Sequence, residues 1–87
     1  GIPAGRVTVV LIEQDEGGSM KLEEHPGEEA LLMISGEAKA RVGDDDFVVK
    51  NGDCLHYSAR LDRSITFTGK GRNKALWVKV VPGAIKW

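Results

Sequence analysis

A single cysteine, Cys54, in 87 residues excludes an internal disulfide and any site built from several thiolates. Long apolar runs are missing as well. The longest, Ala30 to Ile34 and Val9 to Ile12, fall far short of the ~20 residues a membrane-spanning helix needs, so the chain reads as soluble. No basic amino-terminal segment leads into a hydrophobic stretch, so no secretion signal is read and the expected location is the cytoplasm. The chain starts at Gly1, which leads us to expect a processed chain or one domain cut from a longer protein. There is no excess charge of either sign: the net charge of −1 suggests no polyanionic partner. Aromatic residues are few, and Trp77 and Trp87 lack the surrounding pattern of a nucleotide-stacking surface.

What is present is unevenly distributed. Residues 1–46 hold eleven of the thirteen acids and four of the twelve bases, whereas residues 47–87 hold two acids and eight bases. Charges separated in this way can pair across a fold or between two copies, or simply face water on two sides. Eighty-seven residues suffice for one modest core, and no repeat or linker interrupts them, so residues 1–87 are read as one domain.

Short β-rich runs recur with turn residues between them, the pattern of an all-β sandwich or barrel. Strands are expected over Val7 to Ile12, Glu37 to Val42, Phe47 to Val49, Cys54 to Tyr57, Ser64 to Thr68 and Leu76 to Val81. Turns are expected at Gly17-Gly18, Pro26-Gly27, Gly36, Gly43-Asp44, Asn51-Gly52, residues 69–71 and Pro82-Gly83. Glu28 to Ile34 consists of helix formers, but seven residues make a poor independent helix, and we read a strand there.

The stretch "LEEHPGEEALLMISG", residues 22–36, carries the chemistry. Gly17, His25, Glu29 and Gly36 stand at the spacing of the first cupin motif, with Glu23 where that motif has its first histidine. Gly52-Asp53 resembles the start of the second motif, and counting forward puts Arg63 at the position of its ligand histidine. The chain thus resembles the cupin family over nearly its whole length. That resemblance implies a double-stranded β-helix, the jelly-roll β-barrel, whose interior in relatives holds iron, manganese, nickel or zinc on three histidines and a glutamate.

Two of those four positions differ here. A carboxylate at Glu23 can still serve a divalent cation, but an arginine has five donors, no acceptor and a permanent charge, so Arg63 cannot. Carboxylates buried in a barrel need a compensating cation, and Arg63 is expected to replace the metal opposite Glu23 and Glu29. His56 leaves a second arrangement open. It shares a strand face with Cys54 and Ser58, opposite Leu55 and Tyr57; were that face inward, Glu23, His25, Glu29 and His56 would form a rearranged metal site. The plainer reading of His56 is a partly buried, hydrogen-bonded side chain.

The remaining signals read as structural. Cys54 and His56 stand side by side without a third group to activate a nucleophile, and Cys54 reads as a buried thiol. "TGKGRNK", residues 68–74, lacks a phosphate-loop pattern and reads as a solvated hairpin turn, as Asp44 to Asp46 read as an exposed turn. Of Glu28 and Glu29 only one can face inward, and the motif spacing selects Glu29.

Two functions follow from the resemblance. In the first, the chain is a non-catalytic small-molecule-sensing domain, similar to the effector-binding half of bacterial helix-turn-helix regulators. His25, Glu29, Arg63, Glu23 and Tyr57 would then meet a small polar or anionic metabolite in a pocket between the sheets, walled by Leu31, Met33, Leu55, Ile65 and Phe67. No cofactor or catalytic residue is assigned, and nucleic acid would be met only through an attached domain. In the second, the chain is a small metal-dependent enzyme, a dioxygenase, isomerase or decarboxylase. A homodimer, formed through bare edge strands, is expected in either case.

Overall fold

Alternation of apolar and polar side chains is what turns this chain into strands, and in the computed structural model, which describes residues 6–82, it does so eight times. The strands are β1 (Arg6–Asp15), β2 (Ser19–Lys21), β3 (Glu28–Ser35), β4 (Glu37–Val42), β5 (Asp45–Lys50), β6 (Cys54–Ser58), β7 (Arg63–Phe67) and β8 (Arg72–Val81). No helix long and apolar enough to cross a membrane occurs among the described residues. The helix formers of Glu28 to Ile34 are in β3, because burial of Glu29, Leu31 and Met33 on one face outweighs their local preference. The sequence reading missed only β2, three residues between Gly18 and the 22–27 loop.

Two four-stranded antiparallel sheets face each other in the order β1-β8-β3-β6 and β2-β7-β4-β5, the jelly-roll barrel. Leu31, Met33 and Ala75 from the first sheet meet Ala38, Ala40, Val49, Ile65 and Phe67 from the second, all at most 2% exposed. Thus the residues expected to wall a pocket, Leu31, Met33, Ile65 and Phe67, fill the interior instead; they are packed core.

The chain changes sheets at both ends of the barrel. At one end Ser35, Gly36 and Glu37 carry it directly from β3 to β4, and residues 68–71 return it from β7 to β8. Asn73, wholly buried, ties this end together: its Oδ1 accepts from the Glu37 N–H, and its Nδ2 donates to the carbonyls of Gln14 and Gly69. Gly36 has φ of +99°, and a Cβ there would lie 2.2 Å from Asn73 Oδ1, so only glycine fits. At the other end the 22–27 and 59–62 loops cross, joined by the His25 N–H to the Ala59 carbonyl and the Ala59 N–H to the Gly27 carbonyl. Gly27 is compelled twice over, by φ of +112° and by the Val80 carbonyl 2.0 Å from where its Cβ would be. The turn residues Gly83 and the tail residue Trp87 lie outside the described residues.

Candidate functional site

The crossing loops at this second end surround three side chains that the motif spacing had grouped. Glu29 enters from β3, with its inward face fixed by the same alternation that buries Leu31 and Met33. Arg63 is the first residue of β7 and shares its inward face with Ile65 and Phe67. Both side chains are only 1% exposed. The guanidinium forks the carboxylate: Nε donates to Oε1 at 2.7 Å and Nη2 to Oε2 at 2.5 Å. Its other donors reach the Leu61 carbonyl at 3.1 Å and the Glu23 carbonyl at 2.8 Å, so Arg63 also pins both crossing loops.

His25 completes the group. Its Nε2 lies 2.7 Å from Glu29 Oε2 and its Nδ1 2.7 Å from the Pro26 carbonyl. Tyr57 is directly opposite Glu29 across β3 and β6, and its ring centroid lies 6.0 Å from the Arg63 guanidinium carbon. Burial pushes the Tyr57 hydroxyl up to about 12, and the nearby Glu29 charge acts in the same direction. For Glu29 burial pushes upward too, but hydrogen bonds from Arg63 and His25 and the Arg63 charge outweigh it and hold the carboxyl below its ordinary 4.5. Arg63 is held above its ordinary value, chiefly by its hydrogen bond to Glu29, and stays charged.

These directions fix a pH dependence. The unfolded chain takes up a proton at its ordinary carboxylate value before folded Glu29 does, so the pair's stabilisation is complete above about 4.5 and is lost as pH falls through the lower folded value. Tyr57 acts at the other extreme: the unfolded phenol ionises near 10 while the folded one waits until about 12, so stability declines as pH rises between them. Urea unfolding followed by circular dichroism should show both flanks. Glu29→Gln should flatten the acid flank and narrow the alkaline one, since the Glu29 charge helps to raise Tyr57; an unchanged acid flank would refute the assignment.

His25, Glu29 and Arg63 are therefore brought together, as the spacing suggested, and Tyr57 stands beside them. Glu23 takes part only through its backbone carbonyl, and its side chain is exposed. His56 is not part of the group. Tyr57 and Leu55 take the inward face of β6, which turns Cys54, His56 and Ser58 outward. There His56 lies 3.2 Å from Glu28, both more than 60% exposed. Cys54 is likewise exposed, not the buried thiol expected. The 68–74 segment was read as a solvated turn, yet Asn73 within it is wholly buried.

The site does not fit a metal ion. Both Glu29 oxygens are engaged by Arg63, and one of them also by His25; the fixed guanidinium charge sits where a cation would be held. The alternative set of Glu23, His25, Glu29 and His56 is split between two faces of the sheet. Among the described residues no group of three or more His, Cys, Asp or Glu is placed to hold a metal. Arg63 is also not free to meet a ligand's anion, since Glu29 already neutralises it. Two buried polar atoms on the inner wall, the Tyr57 hydroxyl and the Trp77 indole N–H, make no well-aligned hydrogen bond among the described residues, although Tyr57 stands near enough to Trp77 and Glu29 for both to bear on its titration. Trp77 stands opposite Leu31 in the β3–β8 register, which brings its indole to this wall.

A family model of the cupin domain matches residues 10–79. No curated protein matches the sequence. Among solved structures, a cupin superfamily protein from Desulfitobacterium hafniense is 26% identical, with 92% of this chain and 78% of that one covered at a TM-score of 0.77. A predicted oxalate decarboxylase from Thermotoga maritima is also 26% identical, covering 84% and 64% of the two chains at 0.74. The cupin domain of an XRE family transcriptional regulator from Enterobacter cloacae covers 97% of this chain and 98% of that one at 0.76, with 8% identity, a likeness of fold alone. The family match over most of the chain and the jelly-roll barrel agree, and this chain belongs to the cupin family.

Proposed function

We propose that this chain is a non-catalytic cupin domain that binds a small polar or anionic metabolite, the effector-binding part of a bacterial transcription regulator. The observation that carries the reading is the buried Arg63–Glu29 fork: a permanent cation and its hydrogen bonds satisfy the interior carboxylate without a metal. A metal-dependent cupin enzyme needs an ion with an open coordination position, and the donors here are spent on one another. The end-to-end likeness to a regulator's cupin domain is compatible with this role, and contact with nucleic acid would fall to an attached domain.

The unit is proposed to be a homodimer. Edge strand β1 leaves Val7, Val9 and Leu11 67%, 58% and 54% exposed on one face, with no proline or lysine to blunt the edge. A second β1 running antiparallel across a two-fold axis is the self-complementary occupant.

One sample tests the reading. Purified protein incubated with iron(II), manganese(II), nickel(II) and zinc(II), then desalted, should retain far less than one metal per chain by plasma mass spectrometry. Light scattering should give two chains per particle, and a thermal-shift screen of small organic acids should raise the melting temperature. One equivalent of metal would overturn the reading in favour of a metal-dependent enzyme, and a monomer would remove the dimer alone.

A further inference from the structure

A cavity of about 480 Å³ opens at the rim of the second sheet, where β2 and β4 end and β7 begins. Its volume is in the range of small-molecule sites. The register explains its chemistry. Lys21 on β2 and Arg41 on β4 are the two cross-strand neighbours of Ser64 on β7, and all three point outward because Met20, Ala40 and Ile65 point in. With strands about 4.8 Å apart, the two cations stand about 10 Å apart at their backbones and bracket the hydroxyl between them. That spacing lets two long side chains close on one anionic group.

Neither cation is committed elsewhere. Arg41 lies 3.8 Å from Asp46 with both side chains about half exposed, a weak pair that a better acceptor displaces. Lys21 makes no ion pair among the described residues. Gly43 keeps the floor open: a Cβ built there meets nothing within 4 Å. The acids Asp62 and Glu23 also line the cavity, while Arg63, a further lining residue, is neutralised by Glu29. The lining thus offers two cations and a hydroxyl held side by side by the strand register, together with two carboxylates suited to donors such as hydroxyl groups.

We propose that this rim cavity is a binding site for a small organic anion bearing hydroxyl groups, its carboxylate or phosphate held by Lys21, Arg41 and Ser64 and its hydroxyls by Asp62 and Glu23. The proposal rests on the ligand-binding reading of the domain and adds a site outside the packed interior.

The test is a titration of 15N-labelled protein with D-gluconate, acetate and inorganic phosphate, followed by amide chemical shifts. Gluconate should give saturable shifts at Lys21, Arg41, Gly43 and Ser64 and should bind more tightly than acetate; phosphate reports whether a phosphate can replace the carboxylate. Lys21→Ala and Arg41→Ala, both at exposed positions, should each weaken gluconate about tenfold, the loss expected of one charge-assisted hydrogen bond. Asp62→Ala should reduce the preference for gluconate over acetate without weakening acetate. Shifts centred on Tyr57 and Trp77 and indifferent to Lys21→Ala would overturn the rim site while keeping the ligand-binding reading. Absence of shifts with all three probes would overturn the rim site as an anion site, leaving the domain's role to the metal and thermal-shift measurements.

Discussion

Arg63→Ala is expected to destabilise the domain by about 3–5 kcal/mol, the cost of leaving a buried carboxylate without its cation. For a domain of this size each kcal/mol lowers the melting temperature by about 4–8 °C, so the variant should be largely unfolded well below the parent's transition. The loss has three sources. Glu29, 1% exposed, would keep a charge with only His25 beside it, and the Glu23 and Leu61 carbonyls would lose the donor that joins their loops. The control is the double variant Arg63→Met with Glu29→Leu, because removing both charges removes the desolvation cost along with the attraction. Its stability should recover the share lost to the unpaired charge and fall short of the parent's only by what the Glu23 and Leu61 carbonyls lose. Chemical denaturation of the three proteins decides: if the single variant is as stable as the parent, the fork contributes nothing, and if the double variant is as damaged as the single one, volume and not charge is what Arg63 supplies.

Asn73→Leu is expected to be damaging on the same scale. The substitution keeps the side chain's approximate volume but strips the Glu37 N–H, the Gln14 carbonyl and the Gly69 carbonyl of their partner, at about 1–3 kcal/mol for each group left buried and unpaired. These groups belong to three separate passages of the chain between or beside the sheets, so the effect should not stay local. Hydrogen exchange should show faster exchange at Glu37 and at the neighbouring Thr68 and Gly69 amides, both of which donate to the Glu37 carbonyl. Asn73→Asp should recover little, since a carboxylate cannot donate to the two carbonyls. Exchange unchanged at Thr68 and Gly69 would show that the corner holds itself without Asn73.

Arg63 and Asn73 differ sharply in how visible they were beforehand. Arg63 was reached by counting forward from Gly52-Asp53, and its incompatibility with a metal follows from its donor chemistry alone. Strand alternation allowed only one of Glu28 and Glu29 to face inward, the cupin spacing selected Glu29, and β3 buries it. The strands themselves were legible in the alternation and turn signals, except β2, too short to show a period. Asn73 was hidden because it sits among Lys70, Gly71 and Arg72, all exposed, and nothing local marks the one side chain that turns inward. The outward turn of His56 and Cys54 was equally hidden: both alternations of β6 are chemically plausible, and only pairing with β3 puts Tyr57 beside Glu29. The rim cations could not be found without the register, since Lys21, Arg41 and Ser64 lie far apart along the chain and meet only across β2, β7 and β4.

The long pairing of β1 with β8 sets Arg6 opposite Val81 and Asp15 opposite Arg72, so the first and last described strands run side by side and their outer ends leave at one place. Backbone bonds between antiparallel strands lie across the strand direction. A pull applied at Arg6 and Val81 therefore loads them one after another, as in an opening zipper, and not all together in shear. Tethered by these two points, the barrel would yield at low force, and it would do so by peeling off the strand that carries Val7, Val9 and Leu11.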